Sequence, residues 1–101
     1  MRLLQNSVQE KHASYSLVDH YATSKFWNAY EKLPAKVQSV ADENFELLKK
    51  DPFHPSLHFK KVGRFWSVRA GIKYRALGVR VDGSMTWFWI GSHADYDRLI
   101  S

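Results

Sequence analysis

The chain has 101 residues, enough for one domain with a single core and too few for two. It carries 15 Lys and Arg against 10 Asp and Glu, a formal charge of +5, and 45% of its residues are hydrophobic, so it can fold without a metal or a disulfide. With no cysteine, disulfide frameworks, zinc-thiolate sites and thiol catalysis are excluded.

Residues 1–14 are polar and lack a clear period, so a flexible N-terminal tail is expected ahead of a single domain over 15–101, although Leu3, Leu4 and Val8 can share a helical turn. The start turns polar at Gln5 and has no signal-peptide core, and no run approaches the about 18 apolar residues needed to cross a membrane. A cytoplasmic protein with no membrane partner is expected. Residues 15–22 alternate loosely, with Tyr15, Leu17 and Tyr21 on one side and Val18 on the other, which predicts a strand.

Thr23 or Ser24 can cap a helix in which Phe26, Ala29, Tyr30 and Leu33 recur at the spacing of a buried stripe. Pro34 ends it and suits the first turn of a second helix, where Val37, Val40, Ala41, Phe45 and Leu48 share a face and Lys36, Asp42, Glu43, Lys49 and Lys50 lie mostly off it. Asp51-Pro52 stops that helix, and Pro55 prevents another from starting at once.

Residues 65–70 and 74–81 are rich in aromatic and β-branched side chains and read as strands. Asp82-Gly83 accepts the positive φ of a tight hairpin turn. Residues 85–90 (MTWFWI) are apolar on both faces and predict a central strand covered on both sides, with Trp87 and Trp89 on one face, mainly as packing. Gly91-Ser92 breaks it, and residues 94–100 form either a short helix or an extended end. The expected fold is α+β, with an N-terminal strand, a helical hairpin and then a three- to four-stranded, mostly antiparallel sheet whose free face carries arginine and aromatic side chains.

Residues 52–81 hold Lys60, Lys61, Arg64, Arg69, Lys73, Arg75 and Arg80 and no acidic residue, while eight basic and ten acidic residues lie outside. Cations held at sheet spacing form a preorganised surface suited to a polyanion such as RNA or DNA. The alternative is a solvated basic face that maintains solubility.

Several pieces, in order and separation, carry a resemblance over residues 15–100. They are the helix 26–33 with Leu33-Pro34 at the bend, Leu47-Leu48-Lys49-Lys50-Asp51-Pro52, Trp66-Ser67-Val68-Arg69, Tyr74-Arg75-Ala76-Leu77, and Trp89-Ile90-Gly91-Ser92-His93-Ala94-Asp95-Tyr96. Together they resemble the RelE/ParE toxin superfamily of bacterial toxin–antitoxin systems. RelE-like members cleave messenger RNA in the ribosomal A site, and ParE-like members poison DNA gyrase. The resemblance implies the first activity above the second, because the RNA-cleaving branch uses sheet arginines and a C-terminal His or Tyr. It also implies a cognate antitoxin, with mRNA and the ribosome as targets, or gyrase in the alternative. A toxin-like domain that only binds RNA or its partner is a third reading.

Metal-independent RNA cleavage needs a base for the 2′-hydroxyl, cations for the charge that builds on phosphate, and an acid for the departing 5′-oxygen. It uses no cofactor. Arg75 is the first candidate for the charge role and Arg69 the second, since guanidinium stays protonated and can grip two phosphate oxygens. His93 is the acid or base candidate, and Tyr96 can stack on a base, donate a proton or pack. Lys60, Lys61, Arg64 and Lys73 are candidates for sequence-independent RNA contacts. Some relatives place a glutamate base after the second helix; here residues 52–57 lack a carboxylate, which leaves His54 or His58 as the possible base. Those two histidines are four apart, but Pro55 between them opposes a helical metal site, so no metal is expected. Asp95 and Asp97 read as a helix start or a solvated turn.

Overall fold

The structure, a computed structural model, describes the backbone of residues 2–5 and both backbone and side chains of residues 19–101. The chain runs through β1 (Arg2–Gln5) and β2 (His20–Ala22), then α1 (Ser24–Glu31) and α2 (Ala35–Lys50). It continues as β3 (Lys60–Val62), β4 (Phe65–Gly71), β5 (Tyr74–Val81) and β6 (Ser84–Ser92), and ends in α3 (His93–Ile100). Among the described residues these strands form one six-stranded sheet, ordered β1-β2-β6-β5-β4-β3. Every neighbouring pair is antiparallel except β2 and β6, which are parallel.

The α+β architecture expected from the sequence is the one observed, with a wider sheet. Arg2–Gln5, expected within a flexible tail, instead form an edge strand on β2, and residues 6–14 of that tail lie outside the described residues. Of the strand expected over 15–22, residues 20–22 are in β2 and residues 15–18 lie outside the described residues.

Local chemistry sets the helical hairpin. Thr23 caps α1, its Oγ1 accepting from the Phe26 N–H at 3.1 Å. The Gln38 side-chain amide donates to the carbonyls of Tyr30 (3.0 Å) and Leu33 (3.3 Å), so α2 satisfies groups that the end of α1 would leave open. Tyr30 also donates to Asp42 at 2.8 Å across the hairpin. One side of the pair buries Phe26, Ala41 and Leu48 against Val68, Ala70, Ala76, Met85, Trp87 and Ile90 of the sheet. Pro55 does not block a helical start: it opens a single 3-10 turn, Pro55–Leu57, because proline's missing N–H is harmless in a first turn.

Two irregularities shape the sheet. The β5–β6 register shifts so that Leu77 opposes Trp89 while Gly78 opposes Trp87, leaving Phe88 as an extra residue in β6. Trp87 and Trp89 therefore do not share a face, against the simple two-residue alternation. Trp87 is buried in the helix-side core, where its indole N–H donates to His20 Nδ1 at 3.1 Å. Trp89 lies on the other face. The β4–β5 register likewise shifts between Arg69 and Gly71. Asp82 (φ 51°) and Gly83 (φ 85°) make the expected tight turn between β5 and β6.

Candidate nucleic-acid site

Val68 and Ala70 pack into the helix-side core, so Arg69 between them projects from the opposite face of β4. Ala76 places Arg75 on that same face of β5, directly opposite Arg69. Opposed Cα atoms in an antiparallel ladder lie about 4.5–5.5 Å apart, so the two guanidinium groups are close neighbours. Gly91 of β6 completes their row, and Lys60, Ser67, Leu77 and Trp89 form the next. A Cβ on Gly91 would stand 2.5 Å from the Trp89 ring, so only glycine lets the indole lie over this position of the row. Asn44 of α2 donates to the Arg69 carbonyl at 3.2 Å, tying the helix layer to this strand.

The row is electrostatically unbalanced. Arg75 is buried, and desolvation followed by repulsion from Arg69 lowers its pKa, against smaller opposite effects of Tyr96 and Asp97. Among the described residues, Arg75 Nη1, Arg69 Nε and Ser67 Oγ are buried without a hydrogen-bond partner. Buried donors of this kind are costly unless something accepts from them, and two adjacent guanidinium groups favour an anion as the acceptor. By contrast, a cavity of about 80 Å³ between helices and sheet has mainly apolar walls, including Phe26, Phe45, Leu48, Val68 and Trp87, with Asp42 and Asn44 among its few polar residues.

The C-terminal helix brings the remaining candidates to the arginines. Ser92 caps α3 by accepting from the Asp95 N–H at 3.1 Å, and the His93 N–H donates to the Lys73 carbonyl at 2.7 Å. These bonds fix where the helix begins. Tyr96, 5% exposed, lays its ring 5.8 Å from Arg75 Cζ, and the His93 ring centroid is 5.6 Å from that of Tyr96. Nδ1 of His93 lies 3.2 Å from Asp97 Oδ2.

The two possible bases separate. His54 accepts from the Ser56 N–H at 3.2 Å and is 2.8 Å from Ser56 Oγ, a capping role for the 3-10 turn. His58 is exposed, held at φ 48°, and stands in the field of Arg69 first, then Arg75 and Lys60, which with some desolvation lower its pKa. The four residues proposed for RNA contact also part company. Lys60 opposes Ser67 and shares the arginine face, whereas Lys61 opposes Trp66 and points to the other side. Arg64 packs on Phe65 at the far end of β4, about 16 Å from Arg69 at strand spacing, and Lys73 sits in the exposed β4–β5 turn beside α3. The cations do not form one patch.

Sequence reasoning missed Asp97 as a neighbour of His93, although an i, i+4 carboxylate on a helix was a usable signal. It also missed Ser67, a fully buried hydroxyl set between Trp66 and Val68, and the presence of Trp89 on the charged face.

No protein-family model matches the sequence, and no curated protein matches it either. Solved structures do. A chain of the RelB–RelE antitoxin–toxin complex from Methanococcus jannaschii superposes with a TM-score of 0.63 at 9% identity, covering 80% of this chain and 99% of that one. YafQ from E. coli gives 0.59 at 10% identity over 78% and 97% of the two chains. The YoeB/ParE toxin from Agrobacterium tumefaciens gives 0.57 at 16% identity over 73% and 96%. At such identities the likeness is one of backbone, and on that basis this chain has the fold of the RelE/ParE toxin superfamily.

Proposed function

We propose that this chain is the toxin of a type II toxin–antitoxin system and that it cuts messenger RNA on the ribosome. The observation that carries this reading is the Arg69–Arg75 pair, opposed across β4 and β5 with buried donors that have no partner among the described residues and with His58, Tyr96 and His93 around it. Such a set serves phosphodiester cleavage better than it serves a flat protein contact. His58, kept neutral by the neighbouring cations, takes the 2′-hydroxyl proton as O2′ bonds to phosphorus. Arg69 and Arg75 donate to the non-bridging oxygens as charge accumulates there. The bond to O5′ then breaks with its electron pair on oxygen, and His93 returns a proton to it. The products are a 2′,3′-cyclic phosphate and a 5′-hydroxyl.

Lys60 holds the neighbouring backbone and Trp89 offers a stacking surface in the same row. The partner that silences such a site is an antitoxin with a flexible acidic and apolar segment, and one structure of this fold is an antitoxin–toxin complex.

Mapping transcript ends after induction in a dividing bacterium tests the reading. Cleavage of translated messages is expected, lost in Arg75→Ala and His93→Ala while both variants stay folded. DNA breaks and stalled gyrase without mRNA cleavage would replace it with a gyrase-directed toxin. Harmless overexpression, with the variants behaving like the parent, would leave only a binding domain.

A further inference from the structure

One charged group beside the site has no part in the chemistry above. Asp97 lies one turn beyond His93 on α3, its Oδ2 3.2 Å from Nδ1 of the imidazole. The other nearby carboxylate is occupied, since Asp95 pairs with Arg98 and its N–H is bonded to Ser92. The His93 backbone is itself anchored to the Lys73 carbonyl, so the ring swings from a fixed point. Both side chains are largely exposed, 45% and 60%, and because an ionised carboxylate only accepts hydrogen bonds, a carboxylate oxygen at this distance favours the proton on Nδ1. Unrestrained neutral imidazole favours the opposite tautomer.

We infer that Asp97 is the positioning residue for His93: it holds the ring through Nδ1–H and leaves Nε2 as the nitrogen that gives its proton to the leaving 5′-oxygen. This inference rests on the nuclease reading for its chemistry, but its geometry stands apart from it. When the P–O5′ bond breaks, its electron pair stays on O5′ and the proton passes from Nε2 to that oxygen. Imidazolium becomes imidazole and still carries Nδ1–H toward Asp97. The ionisable groups near the imidazole include Asp97 and Tyr96 on α3, Lys73 in the β4–β5 turn whose carbonyl holds the His93 N–H, and, beyond the Tyr96 ring, Arg75 on β5 with Arg69 behind it on β4. Of these, Asp97 makes the direct contact with Nδ1 among the described residues.

Two measurements test this. In protein labelled with ¹⁵N-histidine, at a pH where His93 is neutral, its ring signals should report the Nδ1–H tautomer, and Asp97→Ala should switch them to Nε2–H. With ribosomes and messenger RNA, Asp97→Ala should slow cleavage at least about 10- to 100-fold with KM unchanged, the range for losing a carboxylate that orients a metal-ligating histidine. Asp97→Glu should recover part of the loss. Sulfur in place of the scissile 5′-oxygen gives a leaving group that needs no proton, so it should restore Asp97→Ala and His93→Ala but not Arg75→Ala. Wild-type His93 in the Nε2–H form, a tautomer unmoved by Asp97→Ala, or an equal defect on oxygen and sulfur substrates would overturn the role. If the wild type cut no RNA while the tautomer switched as described, the nuclease reading would fail and the Asp97–His93 pairing would survive.

Discussion

Replacing Arg75 by methionine should make the protein more stable while abolishing the proposed cleavage of RNA. Arg75 is 8% exposed, its Nη1 lacks a partner among the described residues, and Arg69 repels it from the adjoining strand. An unsatisfied buried donor costs about 1–3 kcal/mol, and the repulsion adds to that. Against this stands the contact with the Tyr96 ring at 5.8 Å, worth about 0.5–2 kcal/mol between the exposed and desolvated extremes. Methionine keeps most of the arginine stem's packing without the charge. The balance is a gain of about 1 kcal/mol, which for a domain of this size raises Tm by about 4–8 °C. Urea unfolding and thermal melts of wild type and Arg75→Met in phosphate-free buffer give the comparison. Inorganic phosphate should then stabilise the wild type, by binding the native state alone, and leave the variant unmoved. A loss of 1 kcal/mol or more in Arg75→Met would show that the guanidinium holds the fold together and would refute the view that it is kept for a ligand.

Burial, with Lys49 adding to it, lowers the pKa of His20 from 6.5 to about 4, so the fold keeps this ring neutral. The resulting stability is present in full above pH 6.5 and is lost as the unfolded chain takes up a proton between pH 6.5 and 4, about 3 kcal/mol in all. Urea midpoints at pH 7.5 and 4.5 should show this loss in the wild type. They should show a correspondingly smaller one in His20→Asn, which keeps an acceptor for the Trp87 indole. Gly91→Ala should push the Trp89 ring aside and cost about 1–3 kcal/mol, read from chemical denaturation, with Trp89 fluorescence shifting as well. Lys60→Ala should weaken RNA binding and flatten its salt dependence by about one charge, whereas Lys61→Ala, on the other side of the sheet, should do so far less in the same titration.

Much of the architecture was legible because its causes are local. The Thr23 cap, the apolar stripe of Phe26 and its partners, Pro34 at the bend and Asp82-Gly83 at the turn each act within a few residues, and each appears where the pattern put it. The convergence of Arg69, Arg75, His93 and Tyr96 was suggested only through the family resemblance, since strand pairing and the anchoring of α3 decide it. What escaped notice depends on events between strands. No one-dimensional pattern announces that β6 carries one residue more than β5 needs, so the two tryptophans were placed together. The choice of His58 over His54 likewise follows from the turn that holds one ring as a cap and leaves the other near the arginines. The six-stranded width arises from β1 and β3, edge strands of four and three residues, too short for alternation to mark them as strands.

The additional residue at Phe88 works as a phase shifter for everything downstream. Odd-numbered positions before it, Met85 and Trp87, turn toward the helices; odd-numbered positions after it, Trp89 and Gly91, turn away. A chain one residue shorter here would deliver its terminal helix with the opposite orientation, and the imidazole would arrive on the wrong side of the sheet from its arginines. Length at this point therefore constrains the site more tightly than residue identity does, and relatives that keep the chemistry should keep the count.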